Sequence, residues 1–90
     1  MRRKRESKDQ KIVRLGMVGI LCPDEGAAVG CVLGLLGEFA GIVRHVAEIP
    51  SPCRGMILKC VTVEVSTDDL GSFTGRLGLV KGVKVKSLLL

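Results

Sequence analysis

The 90-residue chain predicts an α+β sandwich of ferredoxin-like type, a four-stranded antiparallel sheet with two helices on one face. Three observations predict it. Four short runs are rich in branched residues. Two segments of helical period separate the first run from the second and the third from the fourth. The composition, 47% hydrophobic with only the aromatics Phe39 and Phe73, supplies an aliphatic core. The resulting order βαββαβ is the split βαβ unit. Right-handed crossovers put the first and third strands in the centre, the second and fourth at the edges, and both helices on the same side. The opposite sheet face is left bare, and a face of that kind is commonly covered by a ligand or a second copy.

The first run, IVRLGMVGILC over residues 12–22, is apolar on both faces except at Arg14 and reads as a central strand. Pro23 and Asp24 end it. Asp24-Glu25 suits a helix start, since carboxylates favour the positive end of the helix dipole. Ala28, Val29, Val32, Leu33 and Leu36 then recur at helical spacing to about Phe39-Ala40-Gly41. Gly26, Gly30, Gly34 and Gly37 weaken this helix by about 1 kcal/mol each relative to alanine in an exposed interior. They imply either close approach to a sheet or an outer face of low propensity.

IVRHVAEI, residues 42–49, is the second strand, and Pro50 to Gly55 form its turn. MILKCVTVEV, residues 56–65, is the third. There Ile57, Val61, Val63 and Val65 share one face and Met56, Leu58, Cys60, Thr62 and Glu64 the other. Ser66 or Thr67 caps a second helix that carries Asp68-Asp69 in its first turn and Leu70, Phe73 and Leu77 at i, i+3 and i+7. A turn at Lys81-Gly82 leads to the last strand. Val83 and Val85 should face the helices, while Lys84 and Lys86 lie on the open side of an edge, where lysine discourages uncontrolled strand addition.

The net charge of +5 is uneven. Residues 1–11 hold six basic and two acidic residues, which is +4, so residues 12–90 are nearly neutral. The expected organisation is a basic, solvated tail over 1–11 and a single domain over 12–90. In the tail, Arg2, Arg3, Lys4 and Arg5 could contact nucleic-acid phosphates without sequence specificity. No small-residue cleavage site follows the first apolar run, and the longest uncharged apolar run, Gly26 to Gly37, is too short for a bilayer, which needs about 20 residues. A cytoplasmic protein without a membrane partner is expected. Cys22, Cys31, Cys53 and Cys60 contain no Cys-x-x-Cys pair and read as free thiols.

Residue chemistry narrows the function. An RNA-binding sheet needs aromatics on its strands, and neither phenylalanine lies on one. Paired thiolates of a copper-chaperone loop are missing. An acylphosphatase-like site needs an asparagine, and the chain has none. His45 and a cysteine lack an accompanying acid or oxyanion donor, so no enzyme activity and no resident cofactor are expected. His45 and Cys53, which flank one hairpin turn, are the candidate ligands for a transition metal. Two donors per chain close a site only if a second subunit contributes. A metal or redox sensor could also draw on Cys22 or Cys60.

Longer stretches carry a resemblance. RLGMVGILCPDEGAAVGCVLGLLGEF, GIVRHVAEIPSPCRGMILKCVTVEV and STDDLGSFTGRLGLVKGVKVKSLL resemble the iron-only hydrogenase system regulator family across about residues 13–89. The most specific pieces are the turn with Ile49, Pro50, Arg54 and Gly55 and the ending from Thr74 to Ser87. The resemblance implies an ACT-like domain, similar to the C-terminal regulatory domain of the nickel-responsive repressor, which assembles through its sheets into dimers and tetramers. It implies a regulatory module forming a homo-oligomer through the open sheet face, with a small effector or a partner protein. The spacing of His45 and Cys53 is similar to that of one histidine and the cysteine of that repressor's nickel site. The neighbouring ligand position holds Ala47, and the chain has no second histidine. About twelve residues precede the first strand, too few for that repressor's DNA-binding domain. The expectation is a transcriptional regulator with no sequence-specific DNA binding of its own, acting through a partner or through the tail.

Overall fold

The computed structural model describes residues 12–50 and 55–90. Its elements run β1 (Arg14–Pro23), α1 (Ala27–Glu38), β2 (Val43–Pro50), β3 (Met56–Val65), α2 (Thr67–Gly78) and β4 (Lys84–Leu89). The strands form one antiparallel sheet in the order β2-β3-β1-β4, with β1 and β3 central as expected. The chain therefore adopts the ferredoxin-like fold.

Strand alternation decides the core. Val18, Ile20 and Cys22 of β1 and Val61, Val63 and Val65 of β3 point to the helix side, where Val32 and Leu35 of α1 and Leu70, Phe73 and Leu77 of α2 close over them. Phe73, Ile20 and Leu77 are fully buried, each contributing roughly 1.5–3 kcal/mol through removal of apolar surface from water. The Phe39 and Phe73 rings lie 5.0 Å apart at 48°, sealing one end of the helix layer.

The two helices begin differently. Ser66 caps α2, its hydroxyl accepting from the Asp69 amide at 3.2 Å, and Asp68 and Asp69 occupy the first turn. In α1, Gly26 is the N-cap at φ 95°, without a side-chain cap and without an acid in the first turn. Asp24 and Glu25 therefore precede the helix instead of opening it. Pro23 still belongs to the strand, and the Asp24 amide is held by the Gly55 carbonyl at 2.9 Å, which delays the helix. The buried stripe of α1 also differs from expectation: Leu35 is buried and Leu33 is exposed. A Cβ at Gly30, Gly34 or Gly37 would meet nothing within 4 Å, so these glycines lie on the outer face of α1.

The edge strand β2 is irregular. Val43 pairs with Val63, but the next partners are His45 and Thr62, so Arg44 is an extra residue. Such a bulge shifts all later side chains by one face. His45, Ala47 and Ile49 consequently point to the open side, and Val46 and Glu48 to the helix side. Arg44 is tied across the pair to Glu64, Nε to Oε1 at 3.0 Å.

Candidate functional site

Two surfaces stand out. The first is the sheet face that carries no helix. On β1 it presents Leu15, Met17, Gly19 and Leu21, and beside them on β4 Leu88, Lys86 and Lys84. Leu90 continues the pairing, its amide donating to the Leu15 carbonyl at 2.9 Å, while Arg14 Nε donates to the Leu90 carbonyl at 3.2 Å. Leu15 is 60% exposed, Leu90 75%, and Met17, Leu88 and Ile49 are close to half exposed. Large apolar side chains thus lie uncovered in adjacent rows instead of being scattered. Gly19 breaks the row, leaving a shallow hollow lined by Met17, Gly19, Lys86, Ser87 and Leu88.

The second surface is a cleft of about 160 Å³ on the helix side, lined by Cys22, Pro23, Asp24, Val29, Leu33, Glu48, Ile57 and Lys59. β3 alternation aims Lys59 at the core between Ile57 and Val61, and the residue is only 5% exposed. Its ammonium is compensated by Glu48, directly opposite on β2, with Nζ in contact with Oε2. Burial pushes the Cys22 thiol above its ordinary value; the Lys59 ammonium opposes this, and the Glu48 and Asp24 carboxylates add to it. The cleft therefore offers apolar walls from Val29, Leu33 and Ile57, charges of both signs, and a thiol held protonated. Such surroundings suit holding a small molecule by its charged groups; they do not activate Cys22 as a nucleophile.

This cleft was absent from the sequence reading. The signal was present, because Lys59 stands between Ile57 and Val61 on the face of β3 expected to be buried, and a charged residue there needs a partner.

The residues singled out from sequence are dispersed. His45 is exposed on the open face, its carbonyl accepting from Thr62 Oγ1 at 3.5 Å. Cys60 shares that face diagonally, being opposite Ala47, whereas Cys22 lies buried on the other side of the sheet. Cys53 and the tail residues Arg2, Arg3, Lys4 and Arg5 lie outside the described residues. Among the described residues, no group of three or more His, Cys, Asp or Glu could hold a metal ion. No helix among them is long and apolar enough to cross a membrane.

The fold is shared with known proteins. The uncharacterized protein TM1266 from Thermotoga maritima superposes with a TM-score of 0.82 at 25% identity, covering 88% of this chain and 99% of that one. The ACT domain of GTP pyrophosphokinase from Chlorobium tepidum follows at 0.71 and 22% identity, covering 86% and 100%. The C-terminal domain of the MgtC protein from Mycobacterium tuberculosis gives 0.71 at 15% identity, covering 96% and 94%. The last two show the fold alone, which is ACT-like. No curated protein matches the sequence. Residues 14–87 match the TM1266-like family, provisionally described as an iron-only hydrogenase system regulator. With most of its length inside that match, the chain belongs to the TM1266-like iron-only hydrogenase system regulator family.

Proposed function

We propose that this protein is a non-catalytic regulatory module that self-associates through the open face of its sheet and takes a small effector in the Lys59–Glu48 cleft. One observation carries the reading: adjacent rows of large apolar side chains, Leu15 and Met17 on β1 with Leu88 and Leu90 on β4, lie uncovered on a face that no helix reaches. A small domain buries only about 60% of the surface its unfolded chain exposes, so a second copy on this face adds needed burial. The family description supports a regulatory role, with the effect on a hydrogenase system exerted through a DNA-binding partner.

The effector class follows from the cleft's walls. Lys59 offers a cation at its floor, Glu48 and Asp24 offer anions, and Val29, Leu33 and Ile57 offer apolar contact. That combination fits a small zwitterion or carboxylate with an apolar body. Sedimentation velocity at tens of micromolar should show a dimer or tetramer; a strict monomer would overturn the self-association. Isothermal titration with small amino and carboxylic acids should find a binder that Lys59→Met abolishes.

A metal-sensing reading has one favouring observation, the exposure of His45 on the face proposed for self-association. Cys53 would supply the second ligand of each chain, and the partner subunit the rest. Metal analysis of tag-free protein purified anaerobically tests it, and a small fraction of an equivalent would remove it.

A further inference from the structure

The geometry points to the free edge of β4 as a docking strand for an extended, acidic segment of another protein. Among the described residues β4 is the outermost strand on its side of the sheet, bonded only to β1. The Leu90 amide donates to Leu15 of β1, so the alternation of an antiparallel ladder turns the amides and carbonyls of Val85, Ser87 and Leu89 outward. An added strand would find three consecutive outward positions there.

Charge selects what can be added. Lys84 and Lys86 stand on the open-face side of β4, opposite Leu21 and Gly19, and both are exposed. Neither pairs with a carboxylate among the described residues. A strand laid against Lys84 and Lys86 gains cross-strand ion pairs only if it presents acids at alternate positions, with an apolar residue where it passes Leu88.

A second copy cannot meet this demand. No register of one β4 against another offers an acid to either lysine, and registers centred on Val85 or Lys86 set lysine against lysine. The other free edge, β2, turns His45, Ala47 and Ile49 to the open face and its acid, Glu48, to the helix side, where Lys59 already engages it. The same lysines that repel unselective strand addition thus admit one class of partner, an extended segment alternating acidic and apolar residues. The outward amides and carbonyls of this edge lie in the plane of the sheet, while Lys84, Lys86 and Leu88 border the face proposed for self-association, so the two associations compete for these side chains.

The test uses the whole protein and a short capped peptide with glutamate at two alternate positions and valine at the others, followed by amide hydrogen exchange. The expected result is slowed exchange at Val85, Ser87 and Leu89, weakened by salt. A control peptide with threonine for glutamate should bind about two- to 30-fold more weakly, and the K84E/K86E variant should bind the acidic peptide more weakly still. That variant should in turn accept a lysine–valine peptide. The proposal is overturned if the three amides are unprotected at millimolar peptide, or if the threonine peptide protects them equally. Equal protection by an oligonucleotide or by anionic lipid vesicles would also overturn it, since a general anion surface would then be present. So would binding that survives the charge reversal but is lost when residues 1–11 are removed.

Discussion

Lys59 and Glu48 face one another across the β2–β3 pair, a buried ammonium against a carboxylate that is half exposed. Removing only the acid leaves a buried cation without its counter-charge. Glu48→Ala should therefore destabilise the fold by about 1–3 kcal/mol, the exposed side of the pair keeping the loss below that of a fully buried bridge. Lys59→Met, which removes the charge and keeps the volume, should lie within about 1 kcal/mol of the parent or above it. Urea unfolding of the two variants checks the asymmetry. Equal losses in both would show that the ammonium itself stabilises the fold.

Cys22 sets an alkaline limit. Burial raises its thiol pKa in the folded state, so the folded chain holds that proton more tightly than the unfolded chain. The contribution is complete below the unfolded thiol value, about 8.5, and is lost as pH rises through the higher folded value. Thermal melts from pH 7 to 10 should show stability falling above about pH 8.5, less so in Cys22→Ala. At pH 8, alkylation should reach exposed Cys31 well before Cys22.

Two glycines should respond oppositely to the same substitution. A Cβ at Gly16 would stand 2.6 Å from the Leu88 carbonyl oxygen and 2.7 Å from Leu89 Cδ2, where β4 closes on β1. Gly16→Ala must shift backbone and should cost about 1–3 kcal/mol. At Gly34, on the outer face of α1, a Cβ meets nothing within 4 Å. Gly34→Ala should stabilise by about 0.5–1 kcal/mol through helix propensity and a less disordered unfolded chain. Paired chemical denaturation curves read both signs; a loss at Gly34 would mean that α1 packs against something in solution.

Leu15→Glu tests the open face at a modest cost to the fold, because the side chain is exposed and the new carboxylate opposite Glu64 costs about 0.2–1 kcal/mol. The dissociation constant of the proposed dimer should rise by about five- to 150-fold, an expectation based on burying a carboxylate without a partner at about 1–3 kcal/mol. Sedimentation equilibrium reads the change, and an unaltered constant would place the interface elsewhere.

Much of the architecture was readable because each element carries a local cause. The two-sided apolar run at 14–23, the alternating run at 56–65, the Ser66 cap with its two aspartates, and Gly82 at φ 86° are written in neighbouring residues. The start of α1 was not, since Asp24-Glu25 looks like a helix opening until the Asp24 amide is drawn to Gly55 across the sheet end. The alternation of Lys84 and Lys86 with Val85 was legible as an edge. The cleft was not, because the pairing that compensates Lys59 is a register between two strands.

His45 states the division most plainly. The sequence by itself determined the order βαββαβ, the central and edge strands and the aliphatic core, because hydrophobic period and turn chemistry act within a few residues. Strict alternation would have sent His45 to the helix side with Val43. The bulge at Arg44, held by Glu64 of β3, turns it to the open face and delivers Glu48 to Lys59. Only the tertiary structure decided those faces, since a bulge is a mismatch between two strands and has no signature in either one alone.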